Sequence, residues 1–421
     1  MSALALLPAL ALAVLGTAWA VARSFAPWLQ VVVALVAVAS LSLALARRRG
    51  SAKREREPAR GAWLLALAAA AAAALFAVET ARNPEGGWDA WGHWNRMARA
   101  LVRAPAQSPL PFSAELAAAH PDYPLLLPGA VAAGWDLAGR EGWLWPAAVA
   151  ALFALMLAAA LHQGLGASRH VATALLVGVP CFPALTANQY ADGPLAALWA
   201  LGAVQGIRAM ELARDGAPSR APWLASGFCL AMAAWTKNEG ALLLGLLPLF
   251  LALELPRGTR LASAASFLAG AAAPLTVLVG FKATLAPKND LLEAVGLETL
   301  ARLAEPARWL ELARETGLHL VRFKDWGLTL PAVLVAAIWL WRWGKSDPGC
   351  RVLARAVAGV LVAYALILTT TPLDPGFHLK TALGRLLFQV WPLLLLWSGR
   401  AWEARSAASA SATPSGPPSP S

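Results

Sequence analysis

The sequence predicts an all-α polytopic membrane protein of about twelve transmembrane helices, and three observations point to that fold class. Of its 421 residues, 58% are hydrophobic and only 14% charged, where a soluble domain carries roughly 25% charged residues. Apolar runs long enough to cross a bilayer recur from one end to the other. The short loops between them are basic at every second occurrence, which is the pattern of cytoplasmic loops.

In chain order the apolar runs predict spans near 2–22, 27–46, 61–79, 143–163, 171–187, 192–208, 222–236, 240–255, 261–281, 327–341, 352–369 and 384–399. Ala18-Trp19-Ala20 resembles a signal-peptide cleavage site, but no basic stretch precedes the run, so it reads as an uncleaved first span. The loop RRRGSAKREREPAR at 47–60 carries seven Lys/Arg and fixes the orientation, with this loop in the cytoplasm. Alternation from there puts Arg169, Arg208, Arg214, Arg220, Arg257, Arg260, Arg342, Lys345, Arg351, Arg400 and Arg405 inside as well, with both termini cytoplasmic. The segment 124–139, PLLLPGAVAAGWDLAG, is short and interrupted by Pro128 and Asp136. Counting it as a span would invert every later loop, so it is expected to be a re-entrant or interfacial helix.

The division expected is 1–60 for two N-terminal spans and their basic loop, 61–400 for the main transmembrane core, and 401–421 for a disordered cytoplasmic tail. The tail ends SAASASATPSGPPSPS, a low-complexity composition. The two large outer loops are 80–142 and 282–326, the second read either as amphipathic helices or as a solvated cap.

Several function classes are excluded. The net charge of +11 is divided among loops rather than gathered in one patch, which fits a membrane surface and not a nucleic-acid footprint. Cys181, Cys229 and Cys350 lack metal spacing, and the six histidines show no ligand pattern, so neither a metal nor a cofactor is expected. No Walker loop, GxGxxG, HExxH or GxSxG is present.

What remains is a set of polar clusters that alternation puts on the outer side. In WDAWGHWNRMARAL, Trp88, Trp91, Trp94, Ala98 and Leu101 recur at helical spacing, which predicts an amphipathic helix at the interface. Asp89 is not needed for anchoring, and an acid over a lipid headgroup is what a general base acting on a lipid-linked substrate requires. HPDYP contributes His120, Asp122 and Tyr123; the ordinary alternative for Asp122 is a helix cap. NQYADGP contributes Asp192, again a cap or a site residue. TKNEG contributes Lys237 and Glu239, which neutralise one another, snorkel outward or serve a ligand; a phosphate suits the lysine. Arg385, in HLKTALGR, opens the last span, where a guanidinium holds a lipid phosphate of a substrate or of the bilayer.

The order and common side of WDAWGHWNRMARAL, HPDYPLLLPG, YADGPLA and WTKNEGALLL resemble GT-C membrane glycosyltransferases. The likeness is to bacterial relatives of protein mannosyltransferase and aminoarabinose transferase, and it runs discontinuously over 61–400. It implies a GT-C-like bundle in a bacterial inner membrane, with its site facing the periplasm. The activity implied is inverting transfer of a sugar from a polyprenyl-phosphate donor to a glycan, lipid or protein acceptor of the cell envelope. By the same resemblance Asp89 is the base and Asp122 its alternative, while Lys237 and Arg385 hold the donor phosphate. Asp192 orients the acceptor or a neighbouring cation, and His93, His120, Tyr123 and Glu239 complete the substrate contacts. The chain departs from the family in its two extra N-terminal spans, in lacking the paired Asp-Glu of protein mannosyltransferases, and in lacking a large soluble C-terminal domain. A lipid or solute transporter and a non-catalytic assembly subunit are the rival readings. Acids at span ends, and no evident internal repeat, count against a transporter.

Overall fold

The computed structural model describes residues 6–24, 61–288, 296–372 and 374–411, all helices and connecting turns. The span expected at 27–46 and the basic loop 47–60 lie outside the described residues. In order the α-helices are α1 Leu7–Ser24, α2 Ala62–Arg82, α3 Asn95–Arg103, α4 Leu126–Ala138, α5 Leu144–Gln163, α6 Arg169–Gly178, α7 Cys181–Ala187 and α8 Asp192–Arg214. They continue with α9 Arg220–Thr236, α10 Gly240–Glu254, α11 Arg260–Thr284, α12 Leu297–Leu303, α13 Pro306–Leu320, α14 Phe323–Trp326, α15 Thr329–Gly344, α16 Pro348–Thr370 and α17 Pro375–Ser411.

Among the described residues, seven helices are long and apolar enough to cross a membrane, or eight if the bent pair α6–α7 counts as one broken span. The protein is therefore a multi-pass helical membrane protein, with fewer full-length helices than the twelve the apolar runs predict. The difference is length. Helices α9, α10 and α15 have 17, 15 and 16 residues, where a straight span needs about 20 at 1.5 Å per residue. These helices fill the runs expected at 222–236, 240–255 and 327–341, and those runs are themselves short. Segment 124–139 forms the 13-residue α4, mostly buried and shorter than a straight span needs.

Bundle contacts follow from small residues. At the α9–α11 crossing a Cβ on Gly227 would lie 2.0 Å from the Phe267 carbonyl oxygen, and one on Gly270 would lie 2.0 Å from that of Leu224. Only glycine lets two helix backbones meet so closely. Helix α1, which the sequence sets apart as an N-terminal unit, packs against α4 through Gly16 and Gly129. Thr17 Oγ1 accepts a bond from Trp235 Nε1 at 3.1 Å, and Arg23 donates to the carbonyls of Leu101, Val102 and Ala104 at the end of α3. Burial of Trp199, Trp235, Trp326 and Trp391 fills the interior, while α2 leaves Trp63, Leu67, Leu75 and Val78 exposed, as a lipid-facing helix does.

The two ends of the bundle differ. At one end the basic loops are tied together: Arg400 bonds Glu211 and Asp347 at 2.6 and 2.9 Å, and Arg355 bonds Glu254 at 2.8 Å. Glu403 there accepts from the backbone of Gly166 and Ser168. At the other end the five polar clusters meet. Helix α17 runs to Ser411, into the segment expected to be a disordered tail; residues 412–421 lie outside the described residues.

Candidate functional site

The exit of α2 is held by glycine. Gly86 has φ +80°, and a Cβ there would lie 2.7 Å from the Asn188 carbonyl oxygen, so the turn after α2 admits no side chain at this point. Gly87 N–H donates to that carbonyl at 2.9 Å, Asn95 Nδ2 donates to Gln189 Oε1 at 2.8 Å, and Gln189 Nε2 donates to the Pro84 carbonyl at 3.0 Å. The WDAWGHW segment is thereby stitched to the NQYAD turn, which sets Asp89 close to Asp192.

The tryptophan stripe does not form as its spacing predicts. Ala90–Trp94 makes a π-helical turn before α3 begins, and this wider turn shifts the register. Trp94, Ala98 and Leu101 are buried, but Trp88 and Trp91 are 58% and 50% exposed. Asp89 stands just ahead of the turn, and π-turns of this kind recur at functional sites.

Arg385, from α17, bridges two acids. Its Nη2 lies 2.6 Å from Asp89 Oδ2, its Nε donates to Asp192 Oδ2 at 2.9 Å, and its guanidinium sits 4.6 Å from the Tyr190 ring centroid. Lys237 Nζ donates to Asp192 Oδ1 at 3.2 Å and pairs with Glu239 Oε1 at 2.9 Å. Gln389 Nε2 also donates to Asp192 Oδ1, and Tyr364 donates to Gln389 Oε1. Asp192 is fully buried and makes no side-chain cap, so the capping alternative fails for it. It spends its oxygens holding two cations and an amide. Although burial opposes the charge on Lys237, Asp192 and Glu239 more than offset this and raise its pKa above the ordinary lysine value. The Lys237–Glu239 pairing left open by the sequence does form, yet Glu239 Oε2 is buried without a hydrogen-bond partner.

A second lobe lies beside the first. Asn238 Nδ2 donates to Asp122 Oδ2 at 3.4 Å, and its Oδ1 accepts from Lys282 Nζ at 2.9 Å. The Asp122 carbonyl also accepts from Lys282 Nζ, at 2.5 Å. Asp122 is buried and does not cap α4, whose N-terminus has no side-chain cap. The TKNEG turn joins the lobes: Lys237 and Glu239 belong to the first, Asn238 to the second. His120 Nδ1 is 4.0 Å from Asp122 Oδ1.

An aromatic wall runs along both lobes. Ring centroids are 5.0 Å apart for Trp88–His93, 4.7 Å for His93–His120, 5.6 Å for His120–Tyr123 and 5.4 Å for Tyr123–Trp94. His93 Nδ1 lies 3.1 Å from the Ala118 carbonyl. Burial lowers the His93 pKa, and His120 and Arg385 add to this against the opposing pull of Asp89. At neutral pH His93 is therefore an uncharged imidazole. Burial likewise raises the pKa of Tyr190, with Asp89 adding to it, so the phenol keeps its proton.

Asp89, Asp192, Glu239, Lys237 and Arg385 thus fall in one lobe, Asp122 and His120 in the other, and His93 and Tyr123 in the aromatic wall that runs along both. Sequence reasoning gave no role to Tyr190, Asn238, Lys282, Tyr364 or Gln389. Gln389 had a usable signal, as a lone amide inside RLLFQVWPLLLL, since a polar side chain within a span is seldom idle. Comparison with family models, with curated protein sequences and with solved structures returns no match for this chain.

Proposed function

We propose that the protein is an inverting glycosyltransferase of the GT-C type, acting on a polyprenyl-phosphate sugar at the outer face of a bacterial inner membrane. The observation that carries this reading is the bridging of Asp89 and Asp192 by Arg385. A base candidate from the first outer loop and a cation from the last helix stand within hydrogen-bond distance, at the end of the bundle away from the basic loops. Asp89 accepts the proton of an acceptor hydroxyl as that oxygen forms its bond to the anomeric carbon. The bond from that carbon to the phosphate oxygen breaks, and polyprenyl phosphate leaves with the electron pair. A guanidinium has five N–H donors, and the two acids engage Nη2 and Nε of Arg385, so donors remain for the leaving oxygens. Lys237 adds a second positive charge, and Asp192 holds both cations in place.

The test uses membranes carrying wild type or Asp89→Asn, supplied with a panel of polyprenyl-phosphate sugars and a glycolipid extract. Free polyprenyl phosphate is followed. Release by wild type and not by the variant supports the class and the base. Release by both keeps the class and moves the base to Asp122. Absence of release by folded wild type across the panel counts against the reading.

One observation favours a carrier instead. The chain Asp192–Gln389–Tyr364 runs from the site into the helix bundle, as a solute or proton path does. Solute flux into proteoliposomes that Asp192→Asn abolishes, with no release of polyprenyl phosphate, would support the carrier.

A further inference from the structure

The cations of the site are not equivalent. Lys237 and Arg385 are enclosed, with side-chain exposures of 7% and 18%, and each already faces two carboxylates. Lys282 differs on both counts. It is exposed, at the last turn of α11. Its ammonium bonds two neutral acceptors, the Asp122 carbonyl and Asn238 Oδ1. Of the acids, Asp122 acts on it through space, where Lys237 and Arg385 are each in direct contact with two carboxylates. An ammonium has three N–H donors, and two are engaged.

Lys282 is also held in place. Asn238 accepts from it with Oδ1 and donates to Asp122 Oδ2 with Nδ2, so the amide is oriented from both sides. A long side chain fixed before its ligand arrives loses less freedom on binding than a mobile one. The result is a reachable, preorganised positive charge at the edge of the second lobe, next to two enclosed cations whose charges acids already offset.

We propose that Lys282 is the entry ligand for the substrate's anion, a phosphate ester, and that the phosphate meets Lys282 before it meets Arg385 and Lys237. This rests on the reading that the site takes a phosphate-linked substrate. It assigns Lys282 to binding, with the chemical step left to Asp89 and Arg385. Asn238 becomes a positioning residue that aims Lys282 without itself carrying charge.

The experiment measures binding of polyprenyl phosphate to the purified full chain in nanodiscs of phosphatidylcholine, which has no net charge. Lys282→Gln is expected to weaken binding about tenfold or more, the range of a charge-assisted hydrogen bond. Lys282→Arg is expected to retain most of it, and Lys324→Gln, on the outer loop away from these contacts, to change nothing. Thermal unfolding of each variant checks folding. Competing inorganic phosphate and phosphatidylglycerol identify the source of the anion. Displacement by inorganic phosphate at millimolar concentration means that the phosphate group alone is recognised. Resistance to both competitors means that phosphate and prenyl tail are read together, and either result supports the proposal. Equal displacement by phosphatidylglycerol, unchanged binding by Lys282→Gln, or no binding by wild type overturns it. Wild-type binding dependent on Lys282, without sugar release in the transfer assay, leaves this assignment standing and removes the glycosyltransferase.

Discussion

Arg385 lies between Asp89 and Asp192, 2.6 Å from the first and 2.9 Å from the second, and so joins the turn after α2 to α8 and α17. The two acids have different surroundings. Asp192 is fully buried, while the Asp89 side chain keeps 17% exposure. On the proposed reading, Asp192 holds the guanidinium and Asp89 exchanges it for a substrate.

Arg385→Lys tests that division. A lysine keeps the charge but lacks the planar fork that reaches two carboxylates at once. Polyprenyl phosphate release is expected to fall about 100-fold, the loss typical of removing a donor to developing negative charge. Steady-state release from membranes, normalised to protein, checks it; activity within a few-fold of wild type would deny Arg385 a role at the leaving group.

Asp192→Ala and Asp89→Asn separate structure from chemistry. Removing Asp192 leaves Lys237 and Arg385 without their buried partner, a loss that costs about 3–5 kcal/mol where an ion pair is enclosed. Asp89→Asn keeps the shape and a hydrogen-bonding side chain at the less buried end of the bridge, and leaves Arg385 its pairing with Asp192, so it is expected to cost less. Thermal unfolding in detergent should therefore rank Asp192→Ala well below Asp89→Asn, with the activity loss present in both. Equal midpoints would show that Asp192 is not the anchor of the cluster.

Much of this was legible in the sequence. Acids and cations at the ends of apolar runs that alternation assigns to one side do meet at one end of the bundle, because alternation of helices leaves few places for them. Which acid meets which cation was not legible, since the pairing of Arg385 with Asp89 and Asp192 depends on how α2, α8 and α17 cross. Periodicity also assumes regular helices, so the π-turn at Ala90–Trp94 hid the division of the tryptophans. The span count is met only in part: 27–46 lies outside the described residues, and the runs 222–236, 240–255 and 327–341 do form helices, but ones shorter than a straight span needs. Gln389 and Tyr364 went unassigned because they sit inside apolar runs that composition assigns to lipid or core.

Gly227→Ala tests the crossing that brings α9 and α11, and with them Lys237 and Lys282, to the site. Its methyl group would lie 2.0 Å from the Phe267 carbonyl oxygen, so the helices must separate. The expected cost is about 1–3 kcal/mol, as for other overpacked interiors. Gly245→Ala, within α10 and with nothing inside 4 Å of the new methyl, should instead gain about 0.5–1 kcal/mol. Thermal midpoints moving in opposite directions would support the contact, and parallel changes would refute it.

His319 gives the protein a pH dependence of known sign. It is 2% exposed on α13, and neither ring nitrogen has a hydrogen-bond partner. Its ring packs on α17 at Gly384, where a Cβ would come within 3.3 Å of it. Burial lowers its pKa from the ordinary histidine value of 6.5; Arg322 and Lys324 act in the same direction, and Asp325 and Glu315 act against them. The unfolded chain therefore binds a proton at a pH where the folded protein does not, and stability rises with pH across that window. This contribution is complete above about pH 6.5 and is lost as pH falls toward the lower folded value. Hydrogen exchange should show α13 opening more readily at about pH 5 than at about pH 7.5. His319→Phe cannot take up the proton, so its α13 exchange should change less over this interval than that of wild type, once the chemical rate is corrected. An equal change in both proteins would move the pH dependence to another group.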